Sequence, residues 1–80
     1  MAIEQLTPER EKQIEQLAVQ LTRLPWDRLV ADYDREVDCL YISFEKPQKA
    51  TDSQMLDSGI IVRYKGEKIV GLTVLDASQR

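Results

Sequence analysis

The segment GIIVRYKGEKIVGLTVL, residues 59–75, leaves this chain little choice of structure. Two runs rich in Ile and Val flank Gly66-Glu67, and β-branched residues favour pleated strands. A two-residue connection with Gly at its first central position suits a tight hairpin turn. With that turn, Tyr64 pairs with Ile69, Val62 with Gly71 and Ile60 with Thr73. One face then carries Ile60, Val62, Ile69 and Leu75, and the other carries Ile61, Val70, Leu72 and Val74. Both faces are largely apolar, and such an antiparallel sheet needs a cover on each side. Gly71, inside its strand, marks a bulge or a close backbone approach.

The rest of the chain supplies one obvious cover. Residues 7–24 read as a helix: Thr7 is a fitting N-cap and Pro8 suits the first helical position. Glu9 and Glu11 stand at the positive end of the helix dipole and Arg23 at the negative end. Ile14, Leu17, Ala18, Leu21 and Leu24 recur at helical spacing and form an apolar stripe. Pro25 ends the helix, and Trp26 behind it is placed to pin the helix to the sheet. Two further strands are expected at 28–33 and 38–44, joined by a turn at 34–36. Residues 45–57 are polar, contain Pro47 and lack periodicity, so they read as a loop, and the tail 76–80 as a fraying end.

Composition decides which functions this frame can carry. Eighty residues make one small domain, 1–80, near the size at which a chain struggles to complete its own core. There is no His and one Cys, so no imidazole base, no histidine-ligated metal, no internal disulfide and no thiolate zinc cluster is expected. The net charge is −3 with scattered basic residues, which argues against nucleic acid as a partner. Neither a signal peptide nor an apolar run long enough to span a membrane is evident, and a lone thiol fits a reducing cytoplasm. Cys39, inside a strand and without a basic neighbour, reads as a buried structural thiol. Arg63, Lys65 and Lys68 at the hairpin tip read as a solvated strand end that blunts edge pairing.

Two local patterns invite a chemical reading. Asp57-Ser58-Gly59 between apolar residues resembles the aspartic protease signature, and two copies could pair their aspartates. Ile60 and Ile61 replace the residues that signature requires next, and no later apolar-apolar-Gly-Arg segment follows, so a turn before a strand is the better reading. Asp32, Asp34, Glu36 and Asp38 alternate around the first turn, where their oxygens could face a divalent cation. Counting from Asp32, Val37 and Ser43 stand where a calcium loop needs Gly and Glu. Those four acids therefore read as turn caps, or as a surface for a basic protein partner.

Tyr33-Asp34-x-x-x-Asp38-x-Leu40-Tyr41-Ile42, then Gly59-Ile60-Ile61-Val62-x-Tyr64, then Ile69-Val70-Gly71-Leu72-x-Val74-Leu75-Asp76-Ala77-Ser78 resembles the small bacterial family known as domain of unknown function 2283. The likeness covers roughly residues 28–80, in order and spacing. It implies a compact β-meander without established enzymatic activity, of a kind often found in toxin–antitoxin-like pairs. The N-terminal helix is an addition to that core, and Lys65-Gly66-Glu67-Lys68 is shorter and less acidic than the family's usual turn.

The expectation is therefore an α+β domain, with an N-terminal amphipathic helix (7–24) packed on a four-stranded antiparallel meander (28–75). The second sheet face is expected to be covered by another copy of the chain, through Ile61, Val70, Leu72 and Val74. The function expected is a non-enzymatic protein–protein interaction module, antitoxin-like, without cofactor or metal. The alternative is a minimal homodimeric aspartyl hydrolase using Asp57.

Overall fold

The structure is a computed structural model, which describes residues 5–45, 47 and 49–80. It consists of one helix, a five-stranded antiparallel sheet and a short 3-10 turn at the C-terminal end. The helix α1 spans Pro8–Thr22, and Thr7 Oγ1 accepts the Arg10 N–H as an N-cap should. The strands are β1 (Val30–Asp34), β2 (Cys39–Ser43), β3 (Asp52–Met55), β4 (Ile60–Lys65) and β5 (Lys68–Val74).

The sheet order is β1-β2-β5-β4-β3, which is not a simple meander. The expected strand sequence would have set 38–44 beside 59–65; instead β5 lies between them. The physical reason is apolar content. KIVGLTV gains most from having a neighbour on each side, while the polar VADYD and DSQM lie exposed at the edges. β3 itself corrects the reading of 45–57 as loop throughout. Its four residues pair with β4 from Asp52 opposite Tyr64 to Met55 opposite Ile61.

The hairpin turn is where it was expected, with Lys65 opposite Lys68 and Tyr64 opposite Ile69. Beyond it the register shifts. Arg63 faces Gly71, Val62 faces Leu72, Ile61 faces Thr73 and Ile60 faces Val74. Val70 is the extra residue of a β-bulge, beside the glycine that signalled one. A one-residue shift moves every later side chain to the other face. Ile60, Val62, Leu72 and Val74 therefore share one face, joined by Leu40 and Ile42 of β2. The opposite face carries Ile61, Arg63, Thr73, Tyr41, Ser43 and Asp32. The sheet thus has one apolar face and one mixed face, not two apolar ones.

The core is correspondingly thin. Cys39, Phe44, Val62 and Val70 are its buried apolar residues, and Thr73 is buried with them. Leu40, Ile42, Ile60, Leu72 and Val74 on the apolar face are only half-buried.

The helix does not close this face. Every residue of α1 is exposed, including Ile14 at 53%, Leu17 at 51% and Leu21 at 36%. The expected packing of the helix on the sheet is therefore not found. Trp26 pins the linker instead of the helix. Its ring stacks on Phe44 at 3.8 Å between centroids, with 6° between the planes. The 45 × 28 × 26 Å extents reflect a single-layer sheet with a helix projecting from it.

Candidate functional site

The acidic turn between β1 and β2 is built from local chemistry. Asp34 Oδ1 accepts the Glu36 N–H at 3.0 Å, a side-chain turn of the kind Asp favours. Asp38 takes a left-handed backbone, φ 53°, a conformation Asp tolerates better than most residues. That twist aims its carboxylate at the C-terminal segment. Oδ1 accepts the Tyr33 hydroxyl at 2.5 Å and the Ser78 N–H at 3.0 Å, and Oδ2 accepts the Ser78 hydroxyl at 2.7 Å. The Asp38 carbonyl also accepts the Ala77 N–H at 2.9 Å.

These bonds favour the charged carboxylate. The Tyr33 hydroxyl, and then that of Ser78, hold Asp38 below the ordinary carboxylate range. The same contact pushes the Tyr33 phenol above its ordinary value, because ionising it would forfeit the hydrogen bond it donates to Asp38 and then set two negative charges together. Arg35 lies over the Tyr33 ring at 5.2 Å. The four acids therefore separate by role. Asp34 and Asp38 hold backbone and side-chain donors, whereas no such bond engages Asp32 or Glu36 among the described residues. No three acidic or thiol side chains converge in the manner of a metal site among the described residues.

Asp57-Ser58-Gly59 forms the turn between β3 and β4. Leu56 N–H donates to the Ile60 carbonyl at 2.8 Å and Gly59 N–H to the Leu56 carbonyl at 3.0 Å. Gly59 has φ 85°, and Arg80 lies against it. The Arg80 guanidinium donates to the Ser58 and Leu75 carbonyls, from Nε and Nη2 at 3.1 and 2.7 Å in the case of Leu75. Asp57 is exposed and in none of these bonds. The tail is thus tied at Asp38 and at Ser58, and its 3-10 turn, Ala77–Gln79, replaces the fraying end expected there.

At the hairpin end, Lys68 donates to Glu45, which lowers the Glu45 carboxyl below its ordinary value. This pair lines an open cleft of about 470 Å³ together with Trp26 and Phe44. A second cleft, of about 390 Å³, continues the helix stripe from Leu21 and Leu24 to Trp26 and Leu29. Among the described residues no helix is long and apolar enough to cross a membrane. Cys39 is buried, its Sγ 3.5 Å from the Val37 carbonyl oxygen.

The four residues read from the sequence as a contact face do not stay together. Leu72 and Val74 lie on the apolar face, Ile61 lies opposite, and Val70 is fully buried at the bulge. Leu40, Ile42, Ile60 and Val62 take the vacated places. The bulge at Gly71 was the signal that could have found them, since it reverses the parity of every residue after it.

These features define a small α+β protein built on a single five-stranded sheet with one apolar face. The profile of the family described as "Protein of unknown function (DUF2283)" matches residues 31–78, from within β1 to Ser78. The chain belongs to that family. The match begins after α1, so the helix lies outside it, and it contains all three members of the Tyr33–Asp38–Ser78 knot. No curated protein and no solved structure matches the chain.

Proposed function

We propose that this protein is a non-enzymatic contact module whose first partner is a second copy of itself. The observation that supports this reading is the apolar face built from Leu40, Ile42, Ile60, Val62, Leu72 and Val74, on which neither α1 nor a second sheet packs among the described residues and which leaves all but Val62 partly exposed. Domains bury such faces by packing two layers together. A single layer of this composition gains by acquiring the second layer from another molecule, and an isologous pair is the simplest source.

The bulge register supplies the test. Leu72→Lys places a charge on the apolar face, and Ile61→Lys places one on the mixed face. Sedimentation equilibrium is expected to show Leu72→Lys reduced to monomer and Ile61→Lys still associated, each with a native strand spectrum by circular dichroism. Equal effects, or none, would contradict the reading.

The antitoxin-like form of the reading adds a basic protein partner. Its docking edge is narrower than four acids, because Asp34 and Asp38 serve the fold. Asp32 and Glu36 are the carboxylates left for it, and both are exposed. Reversing both to Lys is expected to abolish binding of such a partner while leaving self-association intact. Undiminished binding by the reversed variant would remove this part of the reading.

A further inference from the structure

In a self-associated pair, the apolar face of each sheet needs a second layer. We infer that the cover is α1 of the other copy, exchanged reciprocally, so that each helix lies on its partner's sheet. The inference rests on self-association and specifies its geometry.

The chain is more open than a folded monomer of its size. Its accessible surface is 6843 Å², where a folded monomer of 9.3 kDa shows roughly 5,000 Å². Its radius of gyration is 14.9 Å, where about 12 Å is usual for 80 residues. The excess surface, well over about 1,000 Å², exceeds the roughly 800 Å² that each partner contributes to a stable interface. A dimer therefore has enough surface to bury.

The wholly exposed helix contributes much of that openness, and its apolar stripe matches the half-buried apolar face of the sheet. The stripe Ile14, Leu17, Leu21 and Leu24 is exposed along one side of the helix. The fifteen-residue helix is about 22 Å long, close to the roughly 20–23 Å of β4 and β5. A helix stripe and an apolar sheet face are the two halves of an ordinary two-layer domain. Here one chain carries both, unpaired with each other.

The linker explains why a chain does not satisfy itself. Residues 23–25 alone separate the end of α1 from Trp26, which is stacked on Phe44. The last turn is closed by N–H groups of Arg23 and Leu24 donating to the Gln20 and Leu21 carbonyls, each at 3.2 Å. Pro25 fixes the backbone that follows. With this turn closed and the stack formed, α1 projects away from its own sheet and every one of its residues is exposed. A partner's helix is not held by this linker, and reciprocal exchange covers both faces at once.

The test uses the full chain. Leu17 and Leu21 are exposed, so Leu17→Glu with Leu21→Glu is expected to leave the strand spectrum native. It is expected to raise the dimer dissociation constant roughly a hundredfold or more. A spin label at Gln16→Cys in a Cys39→Ala background, mixed with unlabelled ¹⁵N protein, reads contacts between copies only. Broadening of the Leu40, Leu72 and Val74 amides supports exchange. A dimer that keeps its affinity in the double variant and shows no such broadening overturns exchange while self-association stands. A monomer at every concentration overturns both.

Discussion

Asp38 and Ser78, at opposite ends of the family-matched segment, are joined by two hydrogen bonds, from the Ser78 N–H at 3.0 Å and its hydroxyl at 2.7 Å. They tie the first turn of the sheet to the last turn of the chain, and the Tyr33 hydroxyl completes the knot. One consequence concerns pH. Asp38 is held below its ordinary value, so its contribution is present above the unfolded carboxylate range, near about 3.9. It is lost as pH falls through the lower folded value. Tyr33 is raised, so its contribution is present below about 10 and lost as pH rises through the higher folded value. Urea midpoints measured against pH are expected to fall at both extremes. Asp38→Asn is expected to flatten the acid limb and Tyr33→Phe the alkaline limb. Unchanged limbs would show that the knot does not govern them.

The bulge makes a separate prediction. Val70 is fully buried where β5 gains its extra residue. Val70→Ala is expected to cost about 2 kcal/mol, lowering Tm by roughly 10 °C. Calorimetry checks this, and a change of only a degree or two would place Val70 outside the core.

Two left-handed glycines are expected to respond differently. Gly66 has φ 65° with open space around it, so Gly66→Ala carries the conformational cost alone, about 1 kcal/mol. A Cβ on Gly59, at φ 85°, would stand 2.9 Å from Arg80 Nη2. Gly59→Ala must also displace the guanidinium from the Ser58 and Leu75 carbonyls, and is expected to be the more damaging. Repeating both in an Arg80→Ala background is expected to narrow the difference. A gap that persists there would mean Arg80 is not its cause.

The chain's only tryptophan reports on the linker. Phe44→Ala removes the ring under Trp26 and is expected to cost about 3 kcal/mol, with a red shift of tryptophan emission as that ring meets water. Unaltered emission would contradict the stack.

Much of this fold was legible in the chain itself. Thr7, Pro8 and Pro25 bracket the helix within two residues, and Gly66-Glu67 places the hairpin turn. Local chemistry determines those features, so local reading finds them. β3 was hidden because DSQM is a polar edge strand held by backbone pairing, without apolar alternation. The position of β5 beside β2 depends on which strand gains most from being central, a comparison among all five. Which side chains share a face turns on one residue of parity: the bulge beside Gly71 sets Leu72 and Val74 with Ile60 and Val62 and not with Ile61. The tail was misread because its anchors, Asp38 and the Ser58 carbonyl, lie far away in sequence. The helix was legible as an element and not as a contact, since an apolar stripe does not state which sheet it covers.

The proposed self-association supplies each chain with the second layer that its own sheet lacks. Light scattering coupled to gel filtration, on the unmodified protein over a hundredfold range of dilution, addresses it directly. A particle of twice 9.3 kDa that gives way to monomer only on dilution is expected. A 9.3 kDa particle at every concentration would contradict it.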